Sequence, residues 1–311
     1  MTTELLLEEE QQAIMEGLLS QQKFINPKYF YNHRGSKLFE QITELVEYYP
    51  TRTERSILLT YAKDIARHID SEALIIEPGA GSCKKIEYLL NELHPSVYVP
   101  QDVSAEFLAQ SASRLSNTYP WLDVSPIASD FSQPIIIPDK YQNYRKYVFY
   151  PGSTIGNFEP GDARQFLQQM RELVGKQGGM LLGVDLHKEN EVLHAAYNDK
   201  KGITAEFNLN TLYHINQILE AQMDVSKFEH YALYNEKQQR IEMYLRSLIQ
   251  QDYNILGHKV TFAEGELIHT EHSYKYTLDG IAEMAESAGF YLEHSWLDDN
   301  QLFSVNYLRA V

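Results

Sequence analysis

The sequence predicts an α/β fold built on a doubly wound, mostly parallel sheet. Two observations carry that prediction. Between residues 73 and 187, short apolar runs of strand length alternate with longer segments of helical periodicity. The first of those runs ends in a glycine-bearing turn, Glu77-Pro78-Gly79-Ala80-Gly81-Ser82, which opens onto a helical segment.

The elements follow in order. Glu4–Leu19 carries apolar residues at helical spacing, and Thr53–Ile69 does so at Ile57, Leu58, Tyr61, Ile65 and Ile69. Between them lies an irregular aromatic stretch punctuated by Pro27, Gly35 and Pro50. Ala73–Glu77 is the first strand, followed by a helix over Lys84–Leu93. Val97–Gln101 is the second strand, ending at Asp102 before a helix over Ser104–Tyr119. Val124–Ala128 and Lys146–Tyr150 are the third and fourth strands, the latter leading into PGSTIGN. A helix over Ala163–Val174 and a strand at Met180–Leu186 close the series. From residue 188 the alternation stops. A helical segment at Leu209–Met223 precedes an expected meander of FEHYALYN, RIEMYLRSLIQ, DYNILGHKVTF and GELIHTEHSYKY. The α/β pattern resumes with a helix that Gly289 stops, and the last two runs, YLEHSWL and LFSVNYLRAV, predict an antiparallel edge hairpin.

This grammar predicts a second, α+β domain interrupting the α/β domain. Residues 1–55 are assigned to its N-terminal part and 188–275 to its inserted part. Residues 56–187 and 276–311 are assigned to the α/β domain.

Composition limits the function. With 43 acidic and 27 basic residues among 311, the formal charge is −16, which argues against nucleic acid and against an anionic membrane surface. Apolar residues at 43% suffice for packed cores. The single cysteine, Cys83, cannot form an internal disulfide and points to a reducing, cytoplasmic setting. The start, MTTELLLEEEQQ, lacks the basic and apolar regions of a signal peptide, and no apolar run is long enough to span a bilayer. Tyrosines number 22 against 13 phenylalanines, an excess suited either to an interface or to the lining of a polar pocket.

Three strand ends carry groups suited to a nucleoside ligand. Gly79 and Gly81 let backbone approach a ligand closely at a helix start. Asp102, at the end of the second strand, suits the two ribose hydroxyls. Asp130-Phe131, beyond the third, suits an adenine amino group with a ring over the base. The turn lacks the third glycine of a dinucleotide fingerprint, which favours S-adenosylmethionine, and no phosphate-binding P-loop occurs. A second set is polar and aromatic: Tyr48-Tyr49-Pro50, the loop Gly152–Asn157, Tyr197, Met243 and Thr270–Ser273. Asn157 follows the fourth strand, and its amide both donates and accepts, as an amino-acid carboxylate or amine requires. Cys83 reads as a packing residue. His269 and His272, three apart on a strand, are expected on opposite faces, so no shared metal is assigned to them or to His187 and His194.

These strings, with PKYFYNHRGSKLFEQITELVEYYPTRTE, EPGAGS, STIGN, RIEMYLR and TEHS, resemble the histidine Nα-methyltransferases of ergothioneine biosynthesis from about Pro27 to the C-terminus. The resemblance implies a class I, Rossmann-like methyltransferase domain with a mostly parallel seven-stranded sheet, joined to a substrate-binding domain. It implies S-adenosyl-L-methionine as methyl donor, no metal, and three methylations of the L-histidine α-amine to give hercynine, the mono- and dimethylated forms being substrates in turn. By position it assigns Tyr31, Gly79, Lys85, Asp102, Asp130 and Phe131 to the cofactor. Asn157 and Tyr197 are assigned to the α-carboxylate, with Tyr48 beside the reacting amine. Glu271 and Ser273 are assigned to the imidazole, and Met243 lines that pocket. Pro78 departs from the family's common leucine and has no N–H to offer a ligand. A monomer is expected. The alternatives are a related N-methyltransferase acting on another amino acid or aromatic amine, and a non-catalytic S-adenosylmethionine-binding protein.

Overall fold

The computed structural model of the chain describes residues 3–129 and 135–311. It divides into two compact units, Met1–Tyr49 with Lys188–Ser273, and Pro50–His187 with Tyr274–Val311.

The N-terminal helices are α1 (Thr3–Leu19), α2 (His33–Thr43) and α3 (Tyr49–Ile65). α2 is started by Asn32, whose side chain accepts from the Gly35 N–H at 2.8 Å, satisfying one of the donors that the first turn leaves open. β1 (Leu74–Pro78), α4 (Glu87–Leu93), β2 (Val97–Asp102) and α5 (Ala105–Thr118) come next, then the short strands β3 (Asp123–Val124) and β4 (Ile127–Ala128). β5 (Lys146–Tyr150), α6 (Pro160–Val174) and β6 (Gly179–Asp185) complete the alternating section.

In the second unit the strands lie in the order β12-β13-β6-β5-β1-β2-β3, where β12 (Phe290–Leu297) and β13 (Phe303–Ala310) follow a helix, α9 (Leu278–Ser287). β6, β5, β1, β2 and β3 are parallel neighbours; β13 enters antiparallel beside β6 and pairs antiparallel with β12 at the edge. Because helices cover both faces, β1 and β6 are buried along their whole length instead of alternating. Ile57, Leu58, Leu89, Leu90 and Leu115 pack on one face of the sheet, and Phe166, Leu167, Met170, Ile281 and Ala285 on the other.

The third strand departs from its expected continuous form. Asp123 and Val124 pair with Val97 and Tyr98, and Ile127 and Ala128 pair with Gln101 and Asp102. The same register sets Pro126 opposite Pro100. Neither has an N–H, so the ladder breaks there into β3 and β4.

The first unit adds α7 (Asn190–Tyr197) and α8 (Ile203–Ile218), then β7 (Phe228–Asn235), β8 (Arg240–Ser247), β9 (Gln251–Ile255), β10 (His258–Phe262) and β11 (Leu267–Tyr274). The expected four-strand meander is not what forms. β9 and β10 make a separate two-stranded hairpin about Leu256-Gly257, both with positive φ, and β11 pairs with β8 to give the order β11-β8-β7. Reversal at Leu256-Gly257 falls inside the run read as one strand, which is why the count differs. The N-terminal segment joins this unit through backbone bonds: Ile25 N–H donates to the His269 carbonyl, and His269 N–H to the Lys23 carbonyl, each at 2.8 Å. Ile14, Leu18, Leu212, Ile215, Phe228 and Phe262 share its core.

Candidate functional site

In the second unit, Gly79 and Gly81 take positive φ values of 70° and 51° in the turn after β1. A Cβ on Gly81 would meet no atom within 4 Å, so one side of the turn is open space where a ligand can approach. The Gly81 N–H donates to Asp102 Oδ2 at 2.9 Å, and the Ser104 N–H to Oδ1 at 3.0 Å. Each carboxylate oxygen keeps a further lone pair, the pair of acceptors that a ribose diol requires. Pro78 ends β1 opposite Gln101 and offers no donor to the turn.

Beneath the turn, Glu77 is fully buried and accepts from the Tyr98 hydroxyl at 2.6 Å. Burial pushes its carboxyl up to about 8, against the lowering by Tyr98 and Lys85. A raised folded-state value means stability present at acid pH is lost as pH rises through it. The ligand-free protein is therefore expected to lose melting temperature between pH 5 and 8, and Glu77→Gln to flatten that decline. Parallel slopes for both proteins would contradict the assignment. Cys83 is buried, and burial pushes its thiol up to about 12, so it packs in the core as a neutral thiol.

Lys85 does not lie in the helix expected from Lys84, which begins only at Glu87. Its ammonium pairs with Glu54 Oε2 at 2.7 Å, and Glu54 Oε1 accepts from the Gly152 N–H at 2.6 Å. Glu54 thus ties the segment after the glycine turn to the loop after β5. Two glycines make room for the ion pair. A Cβ on Gly183 would collide with Glu54 Oε1, and one on Gly152 would come 2.6 Å from Lys85 Nζ. Sequence reasoning missed Glu54, whose only signal was a carboxylate on the core side of α3. Asn157 ends the single 3₁₀ turn Thr154–Asn157, half-buried. Ser153, at φ 59°, accepts from the Asp185 N–H at 2.9 Å and so fixes that loop against the end of β6. Asp130 and Phe131 lie outside the described residues.

In the first unit, four aromatic rings follow one another edge to face. Tyr31 meets Phe39 at 5.8 Å, Phe39 meets Tyr48 at 6.3 Å, and Tyr48 meets Tyr197 at 6.4 Å. Phe39 was not among the expected residues; its place in the amphipathic α2 gave no reason to separate it from the core. Met243 is buried on β8, and Glu271 and Ser273 are 8% and 4% exposed on β11. β11 also corrects an expectation. The rings of His269 and His272 stack at 5.5 Å instead of facing apart. Thr270 and Glu271 are both buried, so the alternation slips by one residue between them, and His272 comes round to the His269 side. Among the described residues, no group of three or more His, Cys, Asp or Glu side chains is arranged to hold a metal ion.

Comparison with known proteins supplies further findings. Residues 10–310 match the profile of a family described as histidine-specific methyltransferase, SAM-dependent. The chain is 37% identical over 293 residues to a histidine N-alpha-methyltransferase of Mycolicibacterium smegmatis, covering 92% of this chain and 90% of that one. It is 31% identical over 282 residues to ergothioneine biosynthesis protein 1 of Neurospora crassa, covering 87% of this chain and 31% of that longer one. An S-adenosylmethionine-dependent methyltransferase from Clostridium acetobutylicum shares the fold, with a TM-score of 0.51 at 9% identity over 88% of this chain and 98% of that one.

Proposed function

Because the chain belongs to the histidine-specific, S-adenosylmethionine-dependent methyltransferase family, we propose that it methylates the α-amine of L-histidine three times to give hercynine, a step of ergothioneine biosynthesis. The observation that carries the choice of substrate is the burial of Glu271 and Ser273 on β11, in the unit that also holds the tyrosine-edged aromatic row. A carboxylate accepts and a hydroxyl both donates and accepts, which are the complements of the two imidazole nitrogens.

S-adenosylmethionine supplies an electrophilic methyl group on a sulfonium. In the second unit, Gly79, Gly81, Lys85 and Asp102 fit its nucleoside and amino-acid ends, and Asn157 is assigned to the histidine carboxylate. In the first unit, Tyr197 is assigned to the carboxylate, Tyr48 to the amine, and Tyr31 to the cofactor. Glu271, Ser273 and Met243 receive the imidazole. These residues work by binding and alignment, which removes most of the barrier to an in-line displacement. The amine must lose its proton before each transfer, since an ammonium has no lone pair. Tyr48 accepts or donates one hydrogen bond as methyl groups replace N–H donors, and the tyrosine faces stabilise the quaternary product.

The reading includes a cytoplasmic monomer acting on a small molecule, in keeping with a net charge of −16 and a single buried cysteine. No helix among the described residues is long and apolar enough to cross a membrane. The test is mass spectrometry of products formed from S-adenosylmethionine and a mixture of amino acids. Histidine is expected to gain three methylene equivalents. Preferential labelling of another amino acid would overturn the substrate, and binding of S-adenosylhomocysteine without any product would overturn catalysis.

A further inference from the structure

One buried polar chain runs through the first unit without touching any residue assigned to bind histidine by its side chain. His230 on β7 donates from Nε2 to the carbonyl of Tyr197, the last residue of α7, at 2.9 Å. A carbonyl only accepts, so Nε2 carries the proton. Burial lowers the imidazole below its usual value, against the pull of Asp199, so Nδ1 is an acceptor. Asn208 on α8 fills that acceptor through Nδ2 at 2.9 Å and donates from the same nitrogen to the Tyr244 carbonyl at 2.9 Å. Its Oδ1 accepts from the Thr270 hydroxyl at 2.8 Å, and Thr270 Oγ1 also lies 3.1 Å from the Met243 carbonyl. Asn208 and Thr270 are completely buried.

The proton positions in this chain allow one arrangement. Turning the Asn208 amide over would set its oxygen against two acceptors, the Tyr244 carbonyl and the lone pair of His230 Nδ1. A buried polar chain with all members satisfied specifies one geometry, whereas a half-satisfied one is costly. Its members meet α7, β7, α8, β8 and β11. Three of those elements carry the proposed histidine contacts: Tyr197 itself, Met243, and Glu271 next to Thr270.

We propose that His230, Asn208 and Thr270 are positioning residues that hold Tyr197, Met243 and Glu271 at the spacing that accepts histidine, setting amino-acid affinity without contacting the substrate. This rests on the assignment of those three residues to the histidine pocket. The test compares His230→Phe, the near-isosteric Thr270→Val, and Thr270→Ser, which keeps the hydroxyl, with Tyr197→Phe as reference. Losing one buried hydrogen bond predicts a rise of about tenfold in the histidine KM for Thr270→Val, and His230→Phe, which loses two, should raise it at least as much. The kcat and the calorimetric affinity for S-adenosylhomocysteine should stay within about twofold, and Thr270→Ser should restore most of the KM. A raised KM in Tyr197→Phe with no change in Thr270→Val overturns the positioning role alone. An unchanged KM in Tyr197→Phe overturns the pocket assignment and the inference with it. Parallel losses in cofactor affinity and histidine KM would mark a merely structural role, and Thr270→Val keeps the comparison valid should His230→Phe fail to fold.

Discussion

Glu271→Ala is expected to lower kcat/KM for histidine by roughly 100-fold while leaving the affinity for S-adenosylhomocysteine nearly unchanged. Glu271 is 8% exposed on β11, so its carboxylate depends on fixed partners. In the proposed complex it accepts from an imidazole N–H, a charge-assisted bond of the stronger kind. Removing it leaves that N–H buried without an acceptor, and the loss falls on histidine alone because the turn proposed to hold the cofactor belongs to the other unit. The measurement is steady-state kinetics with calorimetry on the same preparation. Equal losses in both quantities would remove Glu271 from the imidazole, and Glu271→Gln, which keeps an acceptor, should fall between the two.

Asp102→Ala should weaken S-adenosylhomocysteine binding by about 100-fold, read directly by calorimetry. Two effects add. In the proposed complex the ribose hydroxyls lose their acceptors, and the Gly81 and Ser104 N–H groups lose the carboxylate that now holds the turn and the start of the next loop. Asp102→Asn retains one amide oxygen for a backbone donor and is expected to lose less. Unaltered binding in Asp102→Ala would move the ribose site elsewhere.

The sheet was legible because apolar runs between residues 73 and 187 have strand length and end in turn residues, and burial on both faces makes those runs nearly continuous. The terminal hairpin was legible from Gly289 and the two apolar runs that follow it. Three features were not. Pro126 alone reads as a tolerated residue in a strand, and only its placement opposite Pro100 explains the break. Leu256-Gly257 sits within an apolar run, so a hairpin looked like one strand. The slip at Thr270-Glu271 changes which faces His269 and His272 occupy, and strand alternation carries no warning of it.

By itself, the sequence determined the class of chemistry: which turn carries the glycines, which strand ends in Asp102, and which tyrosines and acids are available. Those are local facts, set by residue type and by separations of a few positions. Only the tertiary structure decided that Glu54, 31 residues from Lys85, is its partner, that Gly183 is small to admit that carboxylate, and that Gly152 is small to admit the Lys85 ammonium. It likewise decided that His230, Asn208 and Thr270 form one chain. Buried polar groups are satisfied by whatever the packed fold brings within hydrogen-bond reach, and that distance in space has no counterpart in distance along the chain.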